Sequence, residues 1–229
     1  MFGSSRTGRA GRPDSRQVAV LGLGRFGSSL ALELIEQGIE VLGVDVSEPL
    51  VQKYADSLTR TAVADTTDPE VLSQLGIADF DRVVVGIGSD LEASILTCAV
   101  LVDFQIPNIW AKAITRQHGR ILDRVGATHV ILPEQDMGQR VAHLVIGRML
   151  DYIKFDDNFA MVKTIAPEHV LDKSLADSHI RSRWGITVVG LKQVGQQFTY
   201  ATQDTVPRRG DVMIVSGTVK AVESFANES

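Results

Sequence analysis

The 229-residue sequence predicts an α/β fold with a doubly wound parallel sheet, followed by a small C-terminal α+β module. Three observations predict this fold class. From Gln17 onward, short apolar runs of the buried-strand type alternate with amphipathic helical stretches. Several of these runs end in glycines or charged residues, which would lie together at one edge of a parallel sheet. After residue 150 this regular alternation stops, and a different strand pattern begins.

The first module begins with the strand QVAVLGLG and a helix that has Phe26, Leu30 and Leu34 on one face and Gly38 at its end. The next five predicted strands are EVLGVD, TAVAD, DRVVVGIG, PNIWAKA and THVILP. The helices between them are PLVQKYADSL, PEVLSQLGI, LEASILTCAVLVDF and RQHGRILDRVG. Strands that alternate with helices imply right-handed crossovers and therefore a parallel, Rossmann-like sheet.

A further helix is predicted from about Asp136 to Leu150, after a sheet that is already complete. We expect it to brace the next module or to cross to a neighbouring subunit. Beyond it, the predicted strands are FAMVKTIAP, ITVVGLKQ, FTYAT and DVMIVSG, and the predicted helices are KSLADSHIRSRWG and TVKAVESFA. The predicted organisation is a disordered basic tail at 1–15, rich in Gly, Ser and Arg, a Rossmann-like lobe at 16–150 and a C-terminal lobe at 151–229.

Three glycines, Gly22, Gly24 and Gly27, form a G-x-G-x-x-G motif between the first strand and its helix. Asp45 ends the next strand, 18 residues after Gly27. In this context Gly22 permits a tight turn, Gly24 lets the backbone approach phosphates, and Gly27 lets the helix pack closely on the strand. The helix N-terminus offers free N–H groups to phosphates, and Asp45 can accept hydrogen bonds from ribose hydroxyls. The motif predicts a bound nucleotide without a 2′-phosphate.

The ends of the other predicted strands extend this site. Ligands bind beyond the carboxyl ends of parallel strands, which places adenine near Asp65, phosphates near Gly86–Gly88, and the charges of Lys112 and Glu134 close by. The complete set of predicted binding residues is Gly22, Leu23, Gly24, Arg25, Phe26, Gly27, Asp45, Val46, Ser47, Asp65, Thr66, Gly86, Ile87, Gly88, Lys112 and Glu134.

Arg25 lies inside the glycine motif, where the helix begins. The helix N-terminus already serves a pyrophosphate, so an added guanidinium suits a ligand with more phosphate charge, such as ATP, or phosphates presented by a second subunit. A solvated or structural arginine is the alternative that the sequence leaves open.

Composition excludes several classes of protein. The formal net charge of −5 gives no general reason to expect nucleic-acid binding. No apolar run reaches the roughly 18 residues of a membrane span, and the N-terminal residues lack the apolar segment of a secretory signal. The single cysteine, Cys98, forms no intrachain disulfide, fits a reducing compartment and is predicted to be buried.

Catalytic residues are not evident, and we expect a protein that is not an enzyme. The five histidines are scattered without zinc-type spacing, and no Ser/His/Asp arrangement or cysteine nucleophile is recognisable. A small NAD-dependent oxidoreductase is the alternative, although the C-terminal lobe is small to hold a substrate over a nicotinamide ring. A nucleotide-sensing transcription factor is the second alternative; it needs a DNA-reading helix pair, which the 15-residue tail is too short to supply.

The chain resembles the RCK proteins (regulators of potassium conductance) that serve as regulatory subunits of bacterial Ktr and Trk potassium-uptake systems. The similar segments are, in order, VAVLGLGRFGSSLALEL, VLGVDVSEPLVQKYA, VVVGIGSDLEAS, IPNIWAKA and VILPEQDMGQRVA. The most specific parts are the arginine-bearing GLGRFG and PEQDMG. The resemblance covers about Gln17 to Phe225, and the single pair of lobes is similar to the Ktr type.

The resemblance implies a cytoplasmic homo-oligomeric ring, typically of eight copies, bound beneath a dimeric membrane potassium transporter. In such proteins ATP and ADP, or NAD(H) in some members, change the shape of the ring and gate the pore. By position, Asp45 would hold the ribose and Gly22–Gly27 the phosphates. Arg25 would reach the γ-phosphate of ATP in the adjacent subunit, and Glu134 would help to place a metal cation at that interface.

Two parts of the resemblance leave the ligand open. In some members the C-terminal lobe dimerises and binds cyclic di-AMP, for which residues 186–207 are the region to inspect. Asp65 stands where relatives often have an asparagine, and an acid there could alter the preference for adenine or ribose.

Overall fold

The computed structural model describes residues 16–146 and 149–227, so the predicted basic tail at 1–15 lies outside the described residues. The chain divides into two compact units, with the division between Glu134 and Gln135. This division falls near the start of the helix that follows the sixth strand, whereas the sequence interpretation placed it between residues 150 and 151. Within the second unit, Leu144 of that helix packs against the C-terminal core, which accounts for the earlier division.

The first unit is built on a six-stranded parallel sheet. Its strands are β1 Gln17–Leu21, β2 Glu40–Asp45, β3 Arg60–Val63, β4 Arg82–Val85, β5 Asn108–Lys112 and β6 His129–Ile131. Its helices are α1 Arg25–Glu36, α2 Glu48–Tyr54, α3 Pro69–Gln74, α4 Leu91–Asp103 and α5 Arg116–Val125, with a 3₁₀ turn at Ile77–Asp79. The strand order β3-β2-β1-β4-β5-β6 reverses between β1 and β4, and a crevice at this switch point is where doubly wound sheets bind ligands. The predicted fold class is confirmed.

Local sequence explains where these helices begin. The side chains of Asp68, Asp90 and Thr115 accept hydrogen bonds from backbone N–H groups in the first turns of α3, α4 and α5. Between the sheet and α4, Cys98 lies fully buried among Leu21, Val83 and Leu101. Burial raises the pKa of the Cys98 thiol to about 12, so the side chain acts as an apolar core residue, as predicted.

The second unit has a five-stranded antiparallel sheet in the order β10-β9-β11-β8-β7. Its strands are β7 Met149–Lys154, β8 Phe159–Ile165, β9 Ile186–Lys192, β10 Phe198–Tyr200 and β11 Val212–Thr218. The remaining helices are α6 Pro133–Ile146, α7 Ile180–Trp184 and α8 Val219–Asn227, with a 3₁₀ turn at Glu168–Val170. The core of this unit includes Val162, Met213, Val215 and Phe225, all fully buried. Among the described residues, no helix has both the length and the apolar character that crossing a bilayer requires.

Two predicted helices of this part of the chain were wrong in extent. The helix predicted to reach Leu150 is described as far as Ile146, and residues 149 and 150 belong instead to β7, the partner of β8. A register irregularity between Met149 and Asp151 breaks the two-residue alternation that would have signalled a strand. The helix predicted for KSLADSHIRSRWG is limited to Ile180–Trp184 because His179 has a φ of 49°, which a right-handed helix cannot contain.

Candidate nucleotide-binding site

A cleft of about 540 Å³ opens at the carboxyl ends of β1 to β4. It brings together many of the predicted binding residues, namely Gly22, Gly24, Asp45, Val46, Ser47, Asp65, Thr66, Gly86, Ile87 and Gly88. Sequence reasoning missed the other residues that line it, which are Leu50, Ala64, Thr67, Ser89, Asp90, Glu92, Ala93 and Leu96. Three of these, Ala64, Thr67 and Ser89, lie next to a predicted position in the chain, and this adjacency is a signal that could have found them.

The glycine loop joins β1 to α1 and forms one wall of this cleft. Gly22 has a φ of 96°, in the region that favours glycine, and its N–H donates to the carbonyl of Val44 at 2.7 Å. A Cβ on Gly27 would lie 1.9 Å from the carbonyl oxygen of Gly22, so only glycine fits there. Leu23, a predicted binding residue, buries its side chain in the core and leaves only its backbone for the loop.

Gly24 occupies the N-cap of α1 and supplies no side chain to cap it. The first turn of the helix therefore keeps N–H groups that can bind an anion, and the helix dipole adds partial positive charge. A Cβ on Gly24 would meet no protein atom within 4 Å, so its open side faces space that a ligand can occupy.

Asp45 holds the glycine loop in place. Its Oδ2 accepts a hydrogen bond from the Leu23 N–H at 2.6 Å, and its Oδ1 accepts one from the Ser47 N–H at 2.8 Å. A carboxylate has about four lone-pair positions, so two bonds leave capacity for hydroxyl donors of a ligand. The sequence analysis did not predict that Asp45 holds the glycine loop in place, because the hydrogen bond to Leu23 joins residues 22 positions apart.

The end of β3 also lines the cleft. The Oδ1 of Asp65 accepts hydrogen bonds from the N–H and the hydroxyl of Thr67, at 2.9 and 2.7 Å, and these bonds hold the pKa of the Asp65 carboxyl below its usual value. Thr66 is buried, and its hydroxyl lies 2.8 Å from that of Thr97. Asp65 is therefore a fixed anion at the cleft, while the Thr66 hydroxyl is already engaged.

The remaining predicted residues gather beside the cleft, near the start of α1. The ammonium of Lys112 donates to Oε1 of Glu134 at 2.5 Å and lies 5.6 Å from the centre of the Phe26 ring. The hydrogen bond from Lys112 lowers the pKa of the Glu134 carboxyl, and the charge of Arg25 lowers it further. Arg25 itself is exposed. This part of the site carries two cations and one anion.

The arrangement offers binding chemistry: backbone N–H groups and cations for phosphates, and carboxylates for hydroxyl or amine donors. Within residues 16–146 and 149–227, no cluster of three or more His, Cys, Asp or Glu side chains is placed to hold a metal ion. The switch-point cleft, the glycine loop and the acid at the end of the second strand define the class, a Rossmann-type nucleotide-binding lobe joined to a small α+β lobe.

The TrkA-N domain family matches residues 18–133. Over 219 residues the chain is 37% identical to the Ktr system potassium uptake protein A of Bacillus subtilis, a match that covers 95% of this chain and 99% of that protein. The chain therefore belongs to the TrkA-N domain family and is a homologue of Ktr potassium uptake proteins. The relationship predicted from the sequence motifs is confirmed.

Solved structures agree on the fold. The crystal structure of the GsuK RCK domain matches 95% of this chain with a TM-score of 0.65 at 19% identity, and the GsuK channel bound to NAD matches 95% of it with a TM-score of 0.65 at 17% identity. The chain spans 49% and 41% of those two chains. The order of a parallel lobe and a smaller antiparallel lobe is thus that of RCK domains.

Proposed function

We propose that this protein is the nucleotide-sensing regulatory subunit of a Ktr-type potassium transporter. One observation carries the proposal: an Asp45-anchored glycine loop opens on a cleft, in a chain that matches a potassium uptake protein over nearly its whole length. ATP or ADP is the proposed ligand. NAD or NADH is a further candidate, because a channel with the same fold binds NAD.

The cleft suggests an orientation for the nucleotide. The phosphates lie against the free N–H groups of α1, the ribose hydroxyls donate to Asp45, and the adenine occupies the space between Val46 and Asp65. Asp45 would repel a 2′-phosphate, so NADP is expected to bind poorly.

A thermal-shift panel of ATP, ADP, NAD, NADH, NADP and cyclic di-AMP tests which of these ligands binds, because a ligand that binds only the folded protein stabilises it by RT ln(1 + [L]/Kd). Cyclic di-AMP in residues 186–207 stays a prediction that the same panel addresses.

A cation is proposed at Glu134. Its side chain is mostly exposed and uses one oxygen for Lys112, which leaves the other oxygen available. A single carboxylate together with phosphate oxygens is a ligand set that Mg²⁺ accepts, so the residues present fit such an ion. The bound cation would neutralise phosphate charge where two nucleotide-binding lobes meet.

We propose a homo-oligomer, a ring of eight, that binds a membrane potassium-translocating subunit on the cytoplasmic side. An exposed apolar stripe on α6 supports the oligomer: Met137, Val141 and Val145 follow at four-residue spacing and lie on one helix face. Leu91 on α4 and Ile121 on α5 also expose apolar side chains. Exposed apolar patches such as the stripe on α6 mark protein interfaces.

Light scattering is expected to give about eight times the 24.9 kDa chain mass at micromolar concentration with nucleotide present. Val141→Glu should lower that mass, because it puts a charge into the apolar stripe of α6. Gln139→Glu, on an exposed part of the same helix, is the matched control. A monomeric parent protein would contradict both the ring and the gating function.

Arg25→Ala is expected to weaken ATP binding by roughly 1.5–3 kcal/mol, the strength of a hydrogen bond to a charged group, and to leave ADP binding nearly unchanged. The reason is that the glycine loop already serves two phosphates, so the guanidinium is most useful to a third. Calorimetry with both nucleotides measures the difference, and ATP-stimulated potassium flux in vesicles that contain the transporter should be lost.

Arg60→Ala is the control for this experiment, since Arg60 begins β3 at the end of the strand away from the cleft. Equal loss of both nucleotides in Arg25→Ala would make the arginine part of a common phosphate cradle. Unchanged affinities together with intact ATP-stimulated flux would leave Arg25 as a surface arginine without a role in the ligand site.

A further inference from the structure

The Lys112–Glu134 ion pair is unequally buried. The two atoms that form the bond, Nζ and Oε1, are 2.5 Å apart, yet the Lys112 side chain is 10% exposed and the Glu134 side chain 63%. A buried ammonium without an anion is costly, whereas an exposed carboxylate is well solvated alone. The folded protein is therefore destabilised if the Lys112 ammonium lacks a counter-ion, whereas the Glu134 carboxylate is solvated by water even without Lys112.

The Lys112 ammonium also lies next to the nucleotide cleft. A Cβ on Gly88, which lines the cleft, would lie 3.3 Å from Nζ, so the ammonium passes close to that backbone. On another side it faces the ring of Phe26, the second residue of α1, whose N-terminus is the phosphate position in the proposed function. The same ammonium can thus be reached by Glu134 and by the phosphates of a nucleotide.

We infer that Lys112 exchanges its counter-ion when nucleotide binds: Glu134 neutralises it in the free protein, and a nucleotide phosphate takes that place in the complex. This inference rests on the proposed nucleotide site. Phosphate oxygens accept charge-assisted hydrogen bonds as carboxylates do, so the ammonium stays paired throughout. The exchange releases Glu134, whose exposed carboxylate is then free to bind a cation. Nucleotide binding would in this way prepare the cation site.

The test compares Glu134→Gln with Lys112→Met, both in excess EDTA so that no divalent cation contributes. Glu134→Gln leaves Lys112 buried without an anion, so the free protein should melt at a lower temperature, while ADP and ATP should bind at least as tightly as to the parent and raise the melting temperature more. Lys112→Met should leave the melting temperature of the free protein close to that of the parent and weaken both nucleotides roughly tenfold or more. The double variant should restore the melting temperature that Glu134→Gln loses.

The exposed ion pair of Lys154 and Asp157 provides the control, and Asp157→Asn should change neither the melting temperature nor the nucleotide affinities. If Glu134→Gln loses as much nucleotide affinity as Lys112→Met, Glu134 and Lys112 both contribute to binding the ligand. That result would overturn this inference and leave the proposed function intact. Failure of the double variant to restore stability would overturn it as well. A parent protein that binds none of the nucleotides would overturn the proposed function and this inference with it.

Discussion

Gly27→Ala is expected to abolish nucleotide binding and to lower the free energy of unfolding of the first unit by about 3 kcal/mol, the upper end of the usual cost of overpacking. The added Cβ would lie 1.9 Å from the carbonyl oxygen and 3.0 Å from the carbonyl carbon of Gly22. Both are backbone atoms of the phosphate loop, so no side-chain rotation relieves the clash, and α1 must separate from β1. Denaturant unfolding measures the stability, and calorimetry with ATP measures the binding.

Gly24→Ala is the matched control in the same loop. Gly24 has a φ of −62°, and an added Cβ meets no protein atom within 4 Å. We expect the free energy of unfolding to stay within about 0.5 kcal/mol of the parent, as at most surface positions, while nucleotide affinity falls because the methyl group stands where phosphates approach. A Gly27→Ala protein as stable as the parent would show that the loop can move away from α1, which the backbone contact argues against.

Asp45→Ala is expected to weaken ATP binding by roughly 1.5–3 kcal/mol and to destabilise the free protein as well. The ligand loses a charged acceptor for its ribose, and the N–H groups of Leu23 and Ser47 lose theirs. Calorimetry and denaturant unfolding of the same variant separate the two effects.

Asp45→Asn refines this experiment, because the amide oxygen can keep one of the backbone hydrogen bonds while the charge is lost. We expect its stability to lie nearer to that of the parent, with ATP affinity still reduced. An Asp45→Ala protein that binds ATP as tightly as the parent would remove Asp45 from the ligand site and leave it with a purely structural role.

The sheet and its cleft were predictable because their signals are local. The central strands β1, β2 and β4 contain continuous apolar runs, and the residue that ends a strand lies at the ligand-binding edge by geometry alone. This is why the sequence was sufficient to predict that Asp45, Asp65 and Gly86 line one cleft. Leu23 shows the limit of that reasoning, since proximity in sequence placed it in the site while the loop turns its side chain into the core.

What could not be predicted depends on contacts between distant residues. The bond from the Leu23 N–H to Asp45, and the burial of Lys112 against Phe26, require the final strand register. In the second unit, β7 owes its structure to pairing with β8, and its own residues read equally well as the end of a helix. His179 interrupts a predicted helix because its backbone is left-handed, and the residues beside it in the sequence give no signal of this conformation.

The buried thiol at position 98 makes the protein its own reporter of local opening. The chain contains one cysteine, and its side chain has no solvent exposure in the folded first unit. The cysteine thiolate is the nucleophile that attacks a thiol reagent, and it must be exposed to reach the reagent, so labelling requires the sheet and α4 to separate transiently. The rate of labelling therefore measures how often the first unit opens, whatever the second unit does. A ligand that binds only the closed form slows that rate by the factor 1 + [L]/Kd, which yields its affinity without a dye, a tag or a second protein.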